Sequence, residues 1–104
     1  MVEVLDIRPH DLAIVREILQ KTLPSEATVW VFGSRATAKA KKTSDFDLAI
    51  DLGRPLEMKT LSKLMNEFEV SALPYRVDIV DWQTASDKFK TIIAQERKNL
   101  LLND

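Results

Sequence analysis

The sequence predicts an α/β (α+β) domain, a small mixed β-sheet with covering helices in the element order αβ(turn)βαβα. Two observations predict this class. In some segments apolar residues recur every three or four positions, which is the spacing of an amphipathic helix. Between them lie short β-branched runs or alternating apolar and polar residues, which indicate strands. Because 104 residues is the size of one domain, we predict a single domain over residues 1–104.

A helix and a buried strand come first. Leu12, Val15 and Ile18 recur at helical spacing within residues 9–22, a segment that begins with a proline, as first helical turns often do. The run ATVWVF at residues 27–32 is short, apolar and partly β-branched, and turn residues bound it on both sides. These features predict the first helix and a first strand.

The second strand is predicted over residues 46–52, where apolar and polar side chains alternate. One face would carry Phe46, Leu48, Ile50 and Leu52. The other would carry Asp47, Ala49 and Asp51. Since side chains alternate across a strand, this period of two predicts one face against the core.

A helix, a strand and a last helix follow. Pro55 is predicted to open the second helix, whose apolar stripe would be Leu61, Leu64, Met65 and Phe68. The run YRVDIVDW at residues 75–82 predicts the third strand. Residues 84–87 resemble a capping box at the start of the last helix. That helix would carry Phe89, Ile92, Ile93 and Leu100.

Composition narrows the classes of function. The net charge of −1 provides no general attraction to a nucleic acid or an anionic membrane, which argues against nucleic acid as a direct substrate. The chain has no cysteine, which excludes disulfides and thiolate metal sites and suits the cytoplasm. No stretch approaches the roughly 18 apolar residues of a membrane span, and the first residues do not resemble a signal peptide. We therefore expect a cytoplasmic protein.

Three aspartates are candidate metal ligands. If the second strand includes its first residues, Asp45 and Asp47 lie on one face with backbones roughly 7 Å apart, so their carboxylates can converge on one cation. Such hard oxygen ligands favour Mg²⁺ or Mn²⁺. Asp78 lies in an otherwise apolar run, where a charge needs a partner or a metal. Two alternatives stay open: Asp78 as an ion-pair partner of Arg76, and Asp81 as the third carboxylate.

The Gly-Ser that ends the first strand is a candidate phosphate site. Gly33 lets the backbone turn tightly and approach a ligand. The amides that follow it, with the hydroxyl of Ser34, can form a concave nest of donors for phosphate oxygens. Arg35 adds a planar guanidinium suited to phosphate. Taken singly, a Gly-Ser is usually a turn and an Asp-x-Asp pair a solvated face, so the functional interpretation rests on their joint arrangement.

That arrangement resembles a known superfamily. The chain reads Phe32-Gly33-Ser34, then a ten-residue spacer, then Asp45-Phe46-Asp47-Leu48, and later Val77-Asp78-Ile79. This is similar to the nucleotidyltransferase superfamily of the DNA polymerase β type, in which an apolar residue and Gly-Ser precede Asp-apolar-Asp-apolar and a later third carboxylate. The segments GSRA and SDFDLAI, with the chain length, resemble its minimal nucleotidyltransferase (MNT) proteins.

The resemblance implies a polymerase β-like nucleotidyltransferase fold and a metal-dependent transfer of a nucleoside monophosphate, AMP from ATP, to a hydroxyl. The catalytic and metal-binding residues would be Asp45, Asp47 and Asp78, with two Mg²⁺ ions, or Mn²⁺. The residues that bind the triphosphate would be Gly33, Ser34 and Arg35. Relatives often carry glycine where this chain has Ala38, so we expect a stiffer loop with an altered grip on nucleotide.

The resemblance also implies a partner. Minimal family members are typically paired with a small helical HEPN protein in two-protein toxin–antitoxin systems, where the MNT protein is the antitoxin and can transfer AMP to a tyrosine of its partner. The short chain leaves no room for an acceptor-binding domain, and the apolar run at residues 100–102 predicts an exposed leucine for another chain. Two alternatives stay open: a non-catalytic antitoxin that occludes a helical partner, and a nucleotidyltransferase for a small molecule such as an antibiotic.

Overall fold

A computed structural model of the protein describes residues 5–100, which form one four-stranded sheet with helices on both faces. The predicted mixed α/β class is confirmed. The three helices of this part contain 14, 12 and 10 residues, and none of them is long and apolar enough to cross a bilayer. The elements in chain order are α1 (Pro9–Thr22), β1 (Thr28–Phe32), β2 (Phe46–Asp51), α2 (Met58–Glu69), β3 (Val77–Asp81), a 3₁₀ turn (Trp82–Thr84), α3 (Asp87–Glu96) and β4 (Lys98–Asn99).

The sheet has the strand order β3-β2-β1-β4. β1 runs antiparallel to both β2 and β4, whereas β2 and β3 are parallel. A parallel pair needs a crossover connection, and α2 provides it. β3 therefore lies at one edge of the sheet, with β2 as its only neighbour among the strands of residues 5–100.

The alternation in β2 divides the apolar side chains between two clusters. Phe46, Leu48 and Ile50 are buried in the larger cluster, together with side chains of α1 and α2. Ala49 points the other way and packs in a smaller cluster with Phe32 and with a side chain of α3. The predicted two-faced strand is confirmed, and α3 lies on the face opposite to α1 and α2.

Two helix starts differ from the prediction. α2 begins at Met58 and not at Pro55, because the amide of Leu56 donates to the Asp81 carboxylate at 2.9 Å and the backbone stays extended through Glu57. α3 begins after Ser86, whose hydroxyl accepts from the amide of residue 89 at 3.1 Å. Ser86 is thus the N-cap, and the predicted capping box at residues 84–87 is wrong, since residue 84 belongs to the preceding 3₁₀ turn.

The predicted last helix is too long. α3 ends at Glu96, and residues 98–99 form β4, which pairs with β1. The amide of Leu100 donates to the carbonyl of Val29 at 2.9 Å, so this leucine continues the sheet and is only 3% exposed. Placing Leu100 on the helix was wrong, because pairing with a distant strand outweighs local helical spacing. Residues 101 and 102 of the predicted leucine run lie outside the described residues.

The connection between β1 and β2 contains a strained alanine. Ala38 has φ of 61°, and it is the non-glycine residue with positive φ within residues 5–100. An alanine in this left-handed conformation costs about 1–2 kcal/mol. Replacement by glycine removes that cost, but glycine is also freer in the unfolded chain, which offsets part of the gain in stability.

Ala38→Gly should therefore raise the free energy of unfolding by about 0.5–1 kcal/mol. Urea denaturation at constant pH measures the change. Ala40→Gly is the matched control, because residue 40 lies in the same connection without positive φ, and there glycine should stabilise nothing. Equal effects of the two substitutions would contradict this account.

Candidate functional site

Two of the predicted carboxylates lie side by side on the sheet. Asp47 of β2 is the register partner of Asp78 on the parallel strand β3. Two residues further along each strand, Ala49 and Val80 pack in the smaller cluster, so by alternation both aspartates belong to the α3 face of the sheet. Asp45 precedes β2 and is exposed. The strand pairing thus brings together two distant parts of the chain.

The charges at this position repel one another. Burial, followed by the nearby carboxylates of Asp78, Asp45 and Glu96, raises the pKa of Asp47 from 3.8 to about 6. Like charges close together in a partly buried place disfavour the ionised form. A bound cation would remove that repulsion, and it is what this donor set fits by its chemistry.

As the side chains stand, no group of three Asp, Glu or His residues within 5–100 is arranged to hold a metal ion. Asp78 instead forms an ion pair with Arg76, whose Nε lies 3.2 Å from Oδ1 of Asp78, which is the ion pair left open above. The carboxylate of Asp81 accepts from the backbone amides of Leu56 and Gln83 at 2.9 and 3.1 Å. Its oxygens are thus engaged away from Asp47, and of the two rivals it is Asp78 that lies beside Asp47 in the sheet.

The Gly-Ser turn lies directly against these carboxylates. Gly33 has φ of 75°, and a Cβ at this position would collide with the carboxylate of Asp47. Its carbonyl accepts from the amides of Ala36 and Thr37 at 3.1 and 3.2 Å, which makes a single helix-like turn. The amides at the start of such a turn lack helical partners, as at a helix N-terminus, and turns of this kind can serve as phosphate-binding sites.

Arg35 is placed differently from the prediction. Its side chain is 6% exposed, and the guanidinium donates to the carbonyls of Ser44, Asp6 and Lys42 at 2.9–3.4 Å. The guanidinium also stacks over the ring of Tyr75, 4.0 Å from its centroid. Because its donors are used on the backbone, we infer that Arg35 fixes the shape of the loop and that its predicted contact to phosphate has no support in its position.

A buried acid that the sequence analysis missed supports the same loop. Asp11 is 1% exposed, and it accepts from Arg8 at 3.2–3.3 Å and from the hydroxyl of Tyr75 at 3.2 Å. Burial, with the Asp11 carboxylate, raises the pKa of Tyr75 to about 12. The burial of Asp11 could have been predicted from helical spacing, since it precedes Val15 by four residues and shares the buried face of α1.

The structural role of Arg35 can be tested by Arg35→Lys. A lysine keeps the charge but cannot reach several carbonyls at once, so we expect a loss of about 2–3 kcal/mol in the free energy of unfolding. Guanidinium denaturation measures it. Lys39→Arg, on the same loop but exposed, is a control that should change stability little. Unchanged stability of Arg35→Lys combined with weaker nucleotide binding would instead favour a direct phosphate contact.

Glu96 is the second functional candidate that the sequence analysis missed. It is the last residue of α3, and its Oε2 accepts from the amide of Gly33 at 3.2 Å. The two residues are 63 positions apart in the chain. Glu96 follows Phe89 by seven positions and Ile93 by three, so helical spacing could have placed it on the face of α3 that meets the sheet.

A groove with a volume of about 730 Å³ runs from the aspartates across the free edge of β3. Phe32 and Phe89 meet edge to face at 5.9 Å on one side of it, next to Asp47 and Asp78. Apolar side chains such as Met65 line the other side. Its size is that of a typical small-molecule site, and it is open at the sheet edge.

Sequence comparisons give one family. The model of the family described as "Polymerase beta, Nucleotidyltransferase" matches residues 11–104. The chain is also 51% identical over 89 residues to a Haemophilus influenzae protein named "Probable protein adenylyltransferase MntA". That match covers 86% of this chain and 77% of the relative.

Solved structures show the same fold. A toxin–antitoxin crystallised with AMP-PNP matches with a TM-score of 0.74 and 24% identity, over 88% of this chain and 73% of the other. A Shewanella oneidensis complex, described as a tri-AMPylated HEPN toxin with an MNT antitoxin, matches with a TM-score of 0.69 and 22% identity, over 91% and 72%. At these identities the likeness concerns the fold alone.

Proposed function

The chain belongs to the polymerase β nucleotidyltransferase family, and from this premise we propose that it transfers AMP from ATP to a tyrosine hydroxyl of a HEPN-type partner, as the antitoxin of a two-protein system. The observation that carries the proposal is the pairing of Asp47 with Asp78 beside the turn of Gly33. Use of ATP implies that the reaction takes place in the cytoplasm.

Five of the six predicted site residues have a direct role in this proposal. Asp45, Asp47 and Asp78 would hold two Mg²⁺ ions, or Mn²⁺. When bound, these cations would neutralise phosphate charge and make the hydroxyl a better nucleophile. Gly33 and Ser34 would bind the β- and γ-phosphates through the backbone turn and the serine hydroxyl.

The chemistry is an in-line displacement. The acceptor oxygen forms a bond to the α-phosphorus of ATP, the bond from that phosphorus to the bridging oxygen breaks, and pyrophosphate leaves. The hydroxyl gives up its proton to the surrounding water as the new bond forms. Asp78, on the edge strand that faces the open groove, is the carboxylate best placed to orient that hydroxyl. Positioning of the two reactants supplies much of the rate.

A protein acceptor is supported by three observations. The relative at 51% identity is named as a protein adenylyltransferase, and a structural neighbour contains an AMPylated HEPN toxin. The groove opens at the free edge of β3 instead of closing over a small molecule, so a side chain from another protein can enter beside Asp78.

The test is transfer of label from ATP to the partner. The chain is purified with a HEPN-type protein from the same host and incubated with Mg²⁺ and ATP labelled at the α- or the γ-phosphate. We expect label on the partner from the α-position alone, and loss of that label when the modified tyrosine, located by mass spectrometry, becomes phenylalanine. A stable complex that gains no label would instead favour a non-catalytic antitoxin, and label on a free small molecule would favour the small-molecule alternative.

A further inference from the structure

The glycine of the phosphate turn already has an anionic ligand from the protein itself. The amide of Gly33 donates to Oε2 of Glu96 at 3.2 Å. A carboxylate that accepts a hydrogen bond from a backbone amide in a turn presents the same kind of oxygen as a phosphate. A triphosphate that uses this amide must therefore take it from Glu96.

The position of Glu96 is unfavourable for its own helix. It is the last residue of α3, at the negative end of the helix dipole, where a carboxylate is destabilising and a basic residue would be favoured. It also adds a negative charge close to Asp47. Helix stability and local electrostatics both disfavour a glutamate here, and its contact with Gly33 is the interaction that offsets them.

We propose that Glu96 is a further residue of the nucleotide site, which occupies the Gly33 amide in the free protein and yields it to the triphosphate. The inference rests on the proposed function, because it needs phosphate at this turn. Its consequence is that nucleotide affinity is set below what the turn itself can reach. Binding must break the contact between Glu96 and Gly33 and then overcome repulsion between two anions.

Two substitutions separate the hydrogen bond from the charge. Glu96→Gln keeps an oxygen acceptor for Gly33 and removes the charge, whereas Glu96→Ala removes both. We expect ATP with Mg²⁺ to bind about threefold more tightly to Glu96→Gln and about tenfold more tightly to Glu96→Ala. Glu17→Gln, on the exposed face of α1, changes the net charge equally and should leave affinity unchanged.

The two glycines of the chain allow a direct readout. Labelling with ¹⁵N-glycine gives two amide signals, from Gly33 and Gly53. The amide of Gly53 donates to the Asp51 carboxylate at 2.9 Å, so it is an internal control with the same type of bond. Glu96→Ala should move the Gly33 signal upfield and leave Gly53 in place, and titration with ATP should move Gly33 in every variant.

The outcomes distinguish the two levels of the proposal. If ATP moves the Gly33 signal but binds Glu96→Ala and Glu96→Gln no more tightly than the parent, the role of Glu96 is refuted and the proposed function stands. If binding weakens in Glu96→Ala and is normal in Glu96→Gln, Glu96 positions the amide instead, and the proposal is again overturned. If ATP moves Gly33 in no variant, the proposed function fails and the inference fails with it. Glu96→Gln retains the native bond, so the test stands even if Glu96→Ala folds poorly.

Discussion

Asp47→Asn should lower nucleotide transfer by about a thousandfold or more, because it removes a charge that the proposed site needs to hold the cation and the phosphates. The same change should stabilise the metal-free fold. Burial first, and then repulsion from the neighbouring carboxylates, raises the pKa of Asp47 from 3.8 to about 6, so its ionised form is disfavoured in the folded state at neutral pH. A neutral asparagine relieves both effects.

The size and the pH dependence of the stabilisation by Asp47→Asn follow from the shift in the pKa of Asp47. A shift of this size corresponds to at most about 3 kcal/mol, and the partial exposure of the carboxylate reduces the gain to about 1 kcal/mol, or about 4–8 °C in melting temperature. As the pH rises from about 4 to about 6, Asp47 loses its proton in the unfolded chain before it does so in the folded protein. Asp47 therefore destabilises the parent protein increasingly over that window. The advantage of Asp47→Asn should therefore be full at pH 7 and absent below about pH 4.

Thermal melts in EDTA at several pH values, with transfer assays alongside, measure both effects. Asp51→Asn is the matched control, because Asp51 lies on the same strand and accepts from Gly53 and Gln83 away from the site. It should keep transfer and gain no stability. An active Asp47→Asn enzyme would refute the proposed metal site, whereas an inactive variant without stabilisation would refute the electrostatic account alone.

Gly33→Ala should disable the phosphate turn. A positive φ is unfavourable for alanine, and the alanine Cβ would collide with the carboxylate of Asp47. One methyl group therefore disturbs both the turn and the aspartate. We expect a loss of about 2–3 kcal/mol in the free energy of unfolding and at least about a hundredfold loss of transfer.

Gly53→Ala separates the two causes. Gly53 also has positive φ, of 81°, but a Cβ there would meet no atom within 4 Å. This control should cost about 1 kcal/mol, from the backbone alone, and keep activity. Equal costs at the two glycines, with transfer intact in Gly33→Ala, would show that the turn does not approach the carboxylates as the structure has it.

Patterns that depend on local chemistry were predicted well from the sequence. The bounds of α1 follow from its apolar spacing, and the two faces of β2 follow from strict alternation. The grouping of Gly33, Asp47 and Asp78 could be expected from their joint arrangement along the chain, which resembles the family motif. The exact pairing of Asp47 with Asp78 on adjacent strands was not predicted, because the motif implies that the strands pair without specifying their register.

The residues whose surroundings were not predicted depend on distant partners. Arg35 resembles a phosphate ligand by type, yet carbonyls of residues 6, 42 and 44 and the ring of Tyr75 surround it. Leu100 fits a helical period, yet β1 offers it a strand partner. Glu96 gains its meaning only from a glycine 63 residues away. Charge and periodicity describe a residue's own segment, and these contacts are properties of the folded chain.

The pairing of β4 with β1 has a consequence for protein synthesis. β1 is made early, but Leu100 and β4, which pair with it, and Glu96, which binds Gly33, are made about 65 residues later. Contacts of such long sequence separation form late, because the intervening chain must be ordered first. On the ribosome, the nucleotide turn thus emerges well before the segment that completes its surroundings. A nascent chain stalled before residue 96 would carry Asp47 and Asp78 on an unfinished sheet, and we expect the proposed activity to begin only after translation has passed the end of α3.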